Sequence, residues 1–326
     1  MESHSPLSFS TCPDSGKTSP YRASTACPVQ NFIPAPLVTA ASWSLTNAET
    51  GECLWGKSKD TVRDIASLTK MMTLYVVKQC IRQRIITDLD VATVPREATL
   101  LGGTTAYLRT NDTLKIIDLL YAMMLPSGND AAFTLADYCG GRMLNDPRFN
   151  RKKAVIGNVE FFVKQMNIWC KHMGMKNTLF LNPHGLSHLG NHSTAAEIGK
   201  LGAWLINRPL VAEIVSSIKY SCDVKNGNST RKLTWVNTNL LLGKPGVTGL
   251  KTGQTPTAGP CLCVTFTVSG YKLAVTLLKC RTAEKRWAEA TKLVEWAVTQ
   301  LDIIFQKYTD KNIRTRNLAN FINSIE

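Results

Sequence analysis

The chain has 326 residues, of which 44% are apolar and 19% charged, and carries a formal charge of +14 at pH 7. That much apolar material excludes a disordered or fibrous chain and suffices for one large core or two joined lobes. A pI near 9.4 favours acidic partners such as an anionic substrate. The basic residues are thinly spread, however, with "NRKKAV" and "DKNIRTRN" the densest runs. No zinc-finger, arginine-rich or aromatic RNA-binding pattern accompanies them, so nucleic acid is not an expected partner.

Residues 1–35 are rich in Ser, Thr and Pro and lack apolar periodicity, which reads as a flexible N-terminal extension. They show neither the charged head nor the continuous apolar stretch of a secretory signal, so an intracellular location, cytoplasm or organelle, is expected. No run of 18 apolar residues occurs, and no membrane-spanning helix is expected.

From about residue 38, "LVTAASWSLT" and "ECLWGKS" read as two strands joined by the turn "NAETG". "RDIASLTKMMTLYVVKQCIRQR" then reads as a helix, with Leu68, Met71, Met72, Tyr75 and Val76 forming one buried face. Ser67 and Lys70 lie one turn apart at its head. Serine is also a common helix cap, so these two residues alone carry a purely structural alternative.

Residues 88–243 are expected to be mostly helical. "TLKIIDLLYAMML" stops at Pro126, "NDAAFTLADYC" stops at Gly140-Gly141, and "VEFFVKQMNIWCKHM" and "TAAEIGKLGAWLIN" follow as amphipathic helices. The strands "TGLKTGQT", "CLCVTFTV" and "YKLAVTLLKC" come next, and "AEKRWAEATKLVEWAVTQL" closes the chain as a helix. Strands at both ends with helices between imply one sheet built from both termini, a helical lobe inserted into it, and a cleft between the two. A single domain over 36–306 and a C-terminal tail over 307–326 follow.

The ten cysteines are scattered, and Cys261 and Cys263 share one face of a strand, where residues two apart rarely bridge. Reduced, buried thiols are expected. In "NPHGLSHLGNH", His184, His188 and His192 sit among Pro183 and glycines, which argues for a loop and not for a helix presenting metal ligands. Neither a metal nor a cofactor is expected.

Three short motifs remain: Ser67-Leu68-Thr69-Lys70, Ser127-Gly128-Asn129 and Lys251-Thr252-Gly253. Each is weak alone, since "SSIK" supplies a second Ser-x-x-Lys at Ser216 and Lys219. Order separates the two candidates, because Ser67 opens a long helix upstream of both other motifs. Together the three resemble the S-x-x-K, S-D-N and K-T-G set of penicillin-binding proteins and class A β-lactamases, with Gly128 in place of the aspartate of the middle motif. With "LPSGNDAAFTLAD", "MKNTLFLNPHGL", "HSTAAEIGKL", "NTNLLLGKPGVTGLKTGQTPTAG" and "EKRWAEATKLVEWA" in order, residues 38–303 resemble the serine-type D-alanyl-D-alanine carboxypeptidases, the low-molecular-weight penicillin-binding proteins.

That resemblance implies an α/β fold of the β-lactamase/transpeptidase type: a five-stranded antiparallel sheet flanked by helices, with an inserted, mostly helical lobe. It implies Ser67 as nucleophile, Lys70 as its base, Ser127 as proton relay, and Asn129 as a substrate-binding residue. Lys251, Thr252 and Gly253 would receive the terminal carboxylate of a peptidoglycan-type peptide. The backbone N–H groups of Ser67 and Gln254 would form the oxyanion hole, and β-lactams would act as covalent inhibitors. Lys70 must be neutral to act as base, which requires desolvation and a nearby positive charge such as Lys251.

Asn237 and Asn239 read as hydrogen-bonding support for the third motif. Gln254 stands where many members of the family carry a ring-bearing residue. "GGRMLNDPRFNRKKAVIGN" reads as an insertion, and the short tail is expected to lack the separate β-domain and membrane anchor of many relatives. An alternative use of the fold is a non-catalytic scaffold or assembly subunit. A β-lactamase is a weaker reading, because Glu160, Glu197 and Glu213 each lack the Glu-x-x-x-Asn context of a deacylating glutamate.

Overall fold

The sheet that both ends of the chain build is visible in a computed structural model, which describes residues 33–149, 155–186 and 190–307. The extension before residue 33, His188 and the tail after residue 307 lie outside the described residues. Strands β1 (Ser42–Asn47) and β2 (Cys53–Lys57) form the expected hairpin. Asn47 Oδ1 accepts from the N–H groups of Glu49 and Thr50, and Gly51 takes the φ of +80° that closes the turn.

A short strand β3 (Arg63–Asp64) leads through a 3₁₀ turn at Ala66–Leu68 into α1 (Thr69–Arg82). The inserted segment holds β4 (Val91–Thr93), α2 (Arg96–Thr99), β5 (Thr113–Lys115), α3 (Ile116–Met124), α4 (Asn129–Leu144) and α5 (Asn158–His172). It continues with β6 (His192–Ser193), α6 (Ala195–Ile206), α7 (Pro209–Ser216), β7 (Lys219–Asn226) and β8 (Ser229–Val236). The chain returns through β9 (Val247–Thr255), β10 (Gly259–Val268) and β11 (Tyr271–Leu278), and α8 (Lys285–Lys307) is the last described helix.

The main sheet runs β2-β1-β11-β10-β9, antiparallel throughout, with Ser42 opposite Leu278 and Asn47 opposite Leu273. Leu262, Val264, Leu273, Val275 and Leu277 on one face pack against Leu293, Val294, Ala297 and Leu301 of α8. The other face is covered by α6, whose two glycines bring it close. A Cβ on Gly199 would collide with Thr46 Oγ1, and one on Gly202 would stand 3.0 Å from Cys263 Sγ. Ser44 Oγ donates to Ala195 O at 2.7 Å across this contact. The eight described cysteines are free thiols.

Three features differ from the sequence expectation. Thr69–Val77 of α1 are buried on every side, not along one face, because α1 is surrounded by helices α3, α4, α5 and α6. Helix α4 continues past Gly140-Gly141 to Leu144; Gly140 makes room for the Asn158 carbonyl at the start of α5 and does not end the helix. The lobe also carries a four-stranded sheet, β4-β5-β7-β8. Its β7–β8 hairpin turns Tyr220, Cys222, Val224, Leu233 and Trp235 toward the core with polar residues between them, a period-2 alternation that the expectation of a mostly helical segment does not take up.

Candidate active site

Ser67 sits in the 3₁₀ turn, half-buried, after Ala66 at φ +49°. The cap positions of this turn and of α1 are Ile65 and Leu68, and neither makes a side-chain cap bond. Capping therefore does not account for Ser67. The turn is held by Thr69 Oγ1 donating to Ala66 O at 2.8 Å, and Gly185, at φ +90°, passes so close that any Cβ there would collide with the same carbonyl.

Lys70 is fully buried. Its Nζ lies 2.9 Å from Ser67 Oγ, 2.7 Å from Asn129 Oδ1 and 2.6 Å from His184 O. The last two partners are carbonyl oxygens that only accept. A neutral amine has two N–H donors and one lone pair, so these two carbonyls take both donors and leave the lone pair for the Ser67 hydroxyl. Burial, and then the charge of Lys251, push the Lys70 pKa well below the ordinary lysine value, against an upward pull from Asp130.

The second wall is the Ser127–Asn129 turn. Ser127 is 4% exposed and held at φ +67°, and its Oγ is buried without a hydrogen-bond partner. Such an orphaned hydroxyl costs free energy and marks a place where another molecule's polar atom belongs. Asn129 opens α4; its Nδ2 donates to Gly102 O at 2.7 Å and its backbone N–H to Thr104 O at 2.9 Å. Asp130 beside it accepts from Thr105 Oγ1, Ala106 N and Leu108 N, fastening the 102–108 loop at the rim.

The third wall is β9, an edge strand of the main sheet. A Cβ on Gly253 would come within 3.0 Å of Ser67 N and Ile65 O, so only glycine lets the strand pass the nucleophile turn this closely. Lys251 and Thr252 are buried, whereas the Gln254 side chain is exposed. Asn237 and Asn239 support the approach to this strand, with Asn237 Nδ2 donating to Ser217 O at 3.0 Å and Asn239 Nδ2 to Gly249 O at 3.1 Å. The second Ser-x-x-Lys is pulled apart: Ser216 ends α7, Lys219 begins β7, and both are exposed.

Four contacts escaped sequence reasoning. The His184 carbonyl and the Thr238 N–H, which donates to Leu125 O at 3.0 Å, are backbone groups, and Asp130 accepts from the N–H groups of Ala106 and Leu108, contacts that no residue-type pattern signals. Arg286, at the start of α8, lies 3.4 Å from the carbonyls of Gly253 and Cys261 and stacks over Trp287. Its charge, after desolvation, lowers the Lys251 pKa to about 7.

This depression has a consequence for stability. An unfolded lysine keeps its proton to about pH 10. Above about pH 7 the unfolded chain therefore binds more protons than the fold, and Lys251 makes stability rise with pH. Buried thiols with raised pKa values, Cys170, Cys263 and Cys280 among them, act in the opposite sense above about pH 8.5, where unfolded cysteines ionise. Between about pH 7 and 8.5, the urea midpoint of wild type is expected to rise relative to that of Lys251→Met. A difference that stays constant or shrinks over this window overturns the assignment.

Fold and site together define a DD-peptidase-like α/β protein of the low-molecular-weight penicillin-binding class. Residues 30–149 and 152–282 match the Peptidase S11 family, described as D-alanyl-D-alanine carboxypeptidase, and the chain belongs to that family. It is 33% identical over 282 residues to D-alanyl-D-alanine carboxypeptidase DacC of Escherichia coli, covering 84% of this chain and 65% of that protein. The Streptomyces K15 DD-transpeptidase crystal structure superimposes with a TM-score of 0.73 at 28% identity, covering 82% of this chain and 100% of that one. Penicillin-binding protein 6B of Escherichia coli gives 0.68 at 30% identity, covering 81% of this chain and 79% of that one. The chain spans 65% of the length of DacC and 63% of that of DacF of Bacillus subtilis. Among the described residues, no helix is long and apolar enough to cross a membrane.

Proposed function

We propose that the protein is a serine D-alanyl-D-alanine carboxypeptidase acting on peptidoglycan-type peptides with a free C-terminal carboxylate. The observation that carries this reading is the arrangement at Lys70. A buried amine with a lowered pKa, both of its N–H donors engaged by carbonyls, presents its lone pair to a serine hydroxyl.

Lys70 takes the Ser67 proton as Oγ attacks the carbonyl of the penultimate D-alanine. The oxyanion that develops is received by the N–H groups of Ser67 and Gln254. Ser127 then gives its proton to the departing amine and takes the one held by Lys70, and the C–N bond breaks to release D-alanine, leaving an ester on Ser67 and a neutral Lys70. Attack of water on that ester, with the proton transfers reversed, returns the free enzyme. Asn129 holds the Lys70 amine in register and contacts the substrate. Lys251 and Thr252 bind the terminal carboxylate. Arg286 adds positive charge behind them, which favours an anion in the cleft.

The same constellation reacts with β-lactams, and the fate of the adduct tests the reading. A peptide ending in D-alanyl-D-alanine is expected to release D-alanine, and a fluorescent penicillin to leave an adduct stable to gel analysis. Penicillin turnover within seconds identifies a β-lactamase instead. Neither adduct nor D-alanine release identifies a scaffold. The glutamates also speak against a β-lactamase. Glu197 is engaged at the start of α6 with Asn177 N and Thr178 Oγ1, and Glu213 with Tyr121 on α3.

A further inference from the structure

Thr238 lies between two asparagines whose side chains pin the backbone on either side of it. Asn237 Oδ1 accepts from Asn239 N at 2.9 Å, and Asn239 Oδ1 from Leu241 N at 3.1 Å. The Thr238 N–H donates to Leu125 O at 3.0 Å, two residues before Ser127. Its hydroxyl stands 2.7 Å from Thr252 Oγ1. One residue thus bridges the loop that carries Ser127 and the strand that carries Lys251 and Thr252. Among the described residues, neither threonine hydroxyl makes another hydrogen bond.

We infer that Thr238 is a positioning residue for carboxylate specificity, acting through the Thr252 hydroxyl. The inference rests on the proposed role of Lys251 and Thr252 as carboxylate receptors. Two hydroxyls at this distance share one proton donation, and which of them donates depends on what else is present. A carboxylate accepts only, so Thr252 must give it the proton. The Thr252 oxygen is then free to accept from Thr238, whose backbone is held so that its hydroxyl is in place. The resulting chain, Thr238 O–H to Thr252 O–H to carboxylate, polarises each bond through the next in a half-buried setting. An uncharged ester end draws far less from such a chain, because hydrogen bonds to charged groups are the stronger ones.

The test compares acylation rate constants for a penicillin and for its methyl ester. Wild type is expected to prefer the free acid. Thr238→Val removes the donor while keeping the shape, and is expected to lower the acid-to-ester rate ratio about tenfold, leaving the ester rate nearly unchanged. Thr238→Ser keeps the hydroxyl and is expected to restore the ratio. Equal losses on both compounds in Thr238→Val would show a packing role and overturn the inference, as would an unchanged ratio. A wild-type protein that neither compound acylates overturns the underlying reading of the site, and this inference with it.

Discussion

Ser67→Ala is expected to take up no covalent label from a fluorescent penicillin under conditions that saturate the wild type. The hydroxyl is the only atom lost, and its hydrogen bond is to Lys70 Nζ. Removing the nucleophile of a comparable acyl-transfer site costs on the order of 10⁴–10⁶ in rate. The variant is expected to stay folded, because Ser67 caps neither the 3₁₀ turn nor α1. Its urea midpoint should match wild type to within about 1 kcal/mol of stability. Labelling of the variant at a wild-type rate would place the nucleophile elsewhere.

Lys70→Ala is expected to lower the acylation rate about 10³-fold or more, within the range ascribed to a positioned general base. Lys70→Arg should not rescue it, since a guanidinium stays protonated and offers no lone pair to the serine. The control is Lys219→Ala. Lys219 is exposed on β7, and its loss is expected to leave the labelling rate unchanged. The reverse outcome, with Lys219 essential and Lys70 dispensable, would assign the chemistry to the other Ser-x-x-Lys. Because truncating Lys70 frees the Asn129 Oδ1 and His184 O acceptors inside the protein, circular dichroism accompanies the rate measurement.

Side-chain chemistry at regular spacing made much of this legible. Both ends of the main sheet, the hairpin at Asn47–Gly51 and the order of the three motifs follow from residue type alone. The hairpin Lys219–Val236 also carries a period-2 pattern, with Tyr220, Cys222 and Val224 and then Leu233 and Trp235 turned inward, but the helical periodicity of the segments before it outweighs two short strands. Gly140 illustrates the converse. Read as punctuation, it is a contact, since the space a side chain would fill belongs to Asn158. At the site, the nucleophile and its lysine were readable, whereas the His184 carbonyl that fixes one Lys70 proton is a backbone group, identical in every residue.

The pairing of β1 with β11 also governs when the site can come into existence. Ser42 has no strand partner until Leu278 has been synthesised, and β9, which brings Gly253 beside the Ser67 turn, reaches β1 only through β10 and β11. Closing so long a loop is entropically slow, and contacts this distant in sequence form late in folding. During synthesis the first hairpin therefore presents an open edge for most of the elongation time, a period in which unpaired strands are prone to association. Nucleophile competence then becomes an all-or-none report on chain closure. A fragment that retains α1 and the helical lobe but lacks β9–β11 would hold Ser67, Lys70 and Asn129 without the strand that completes their surroundings.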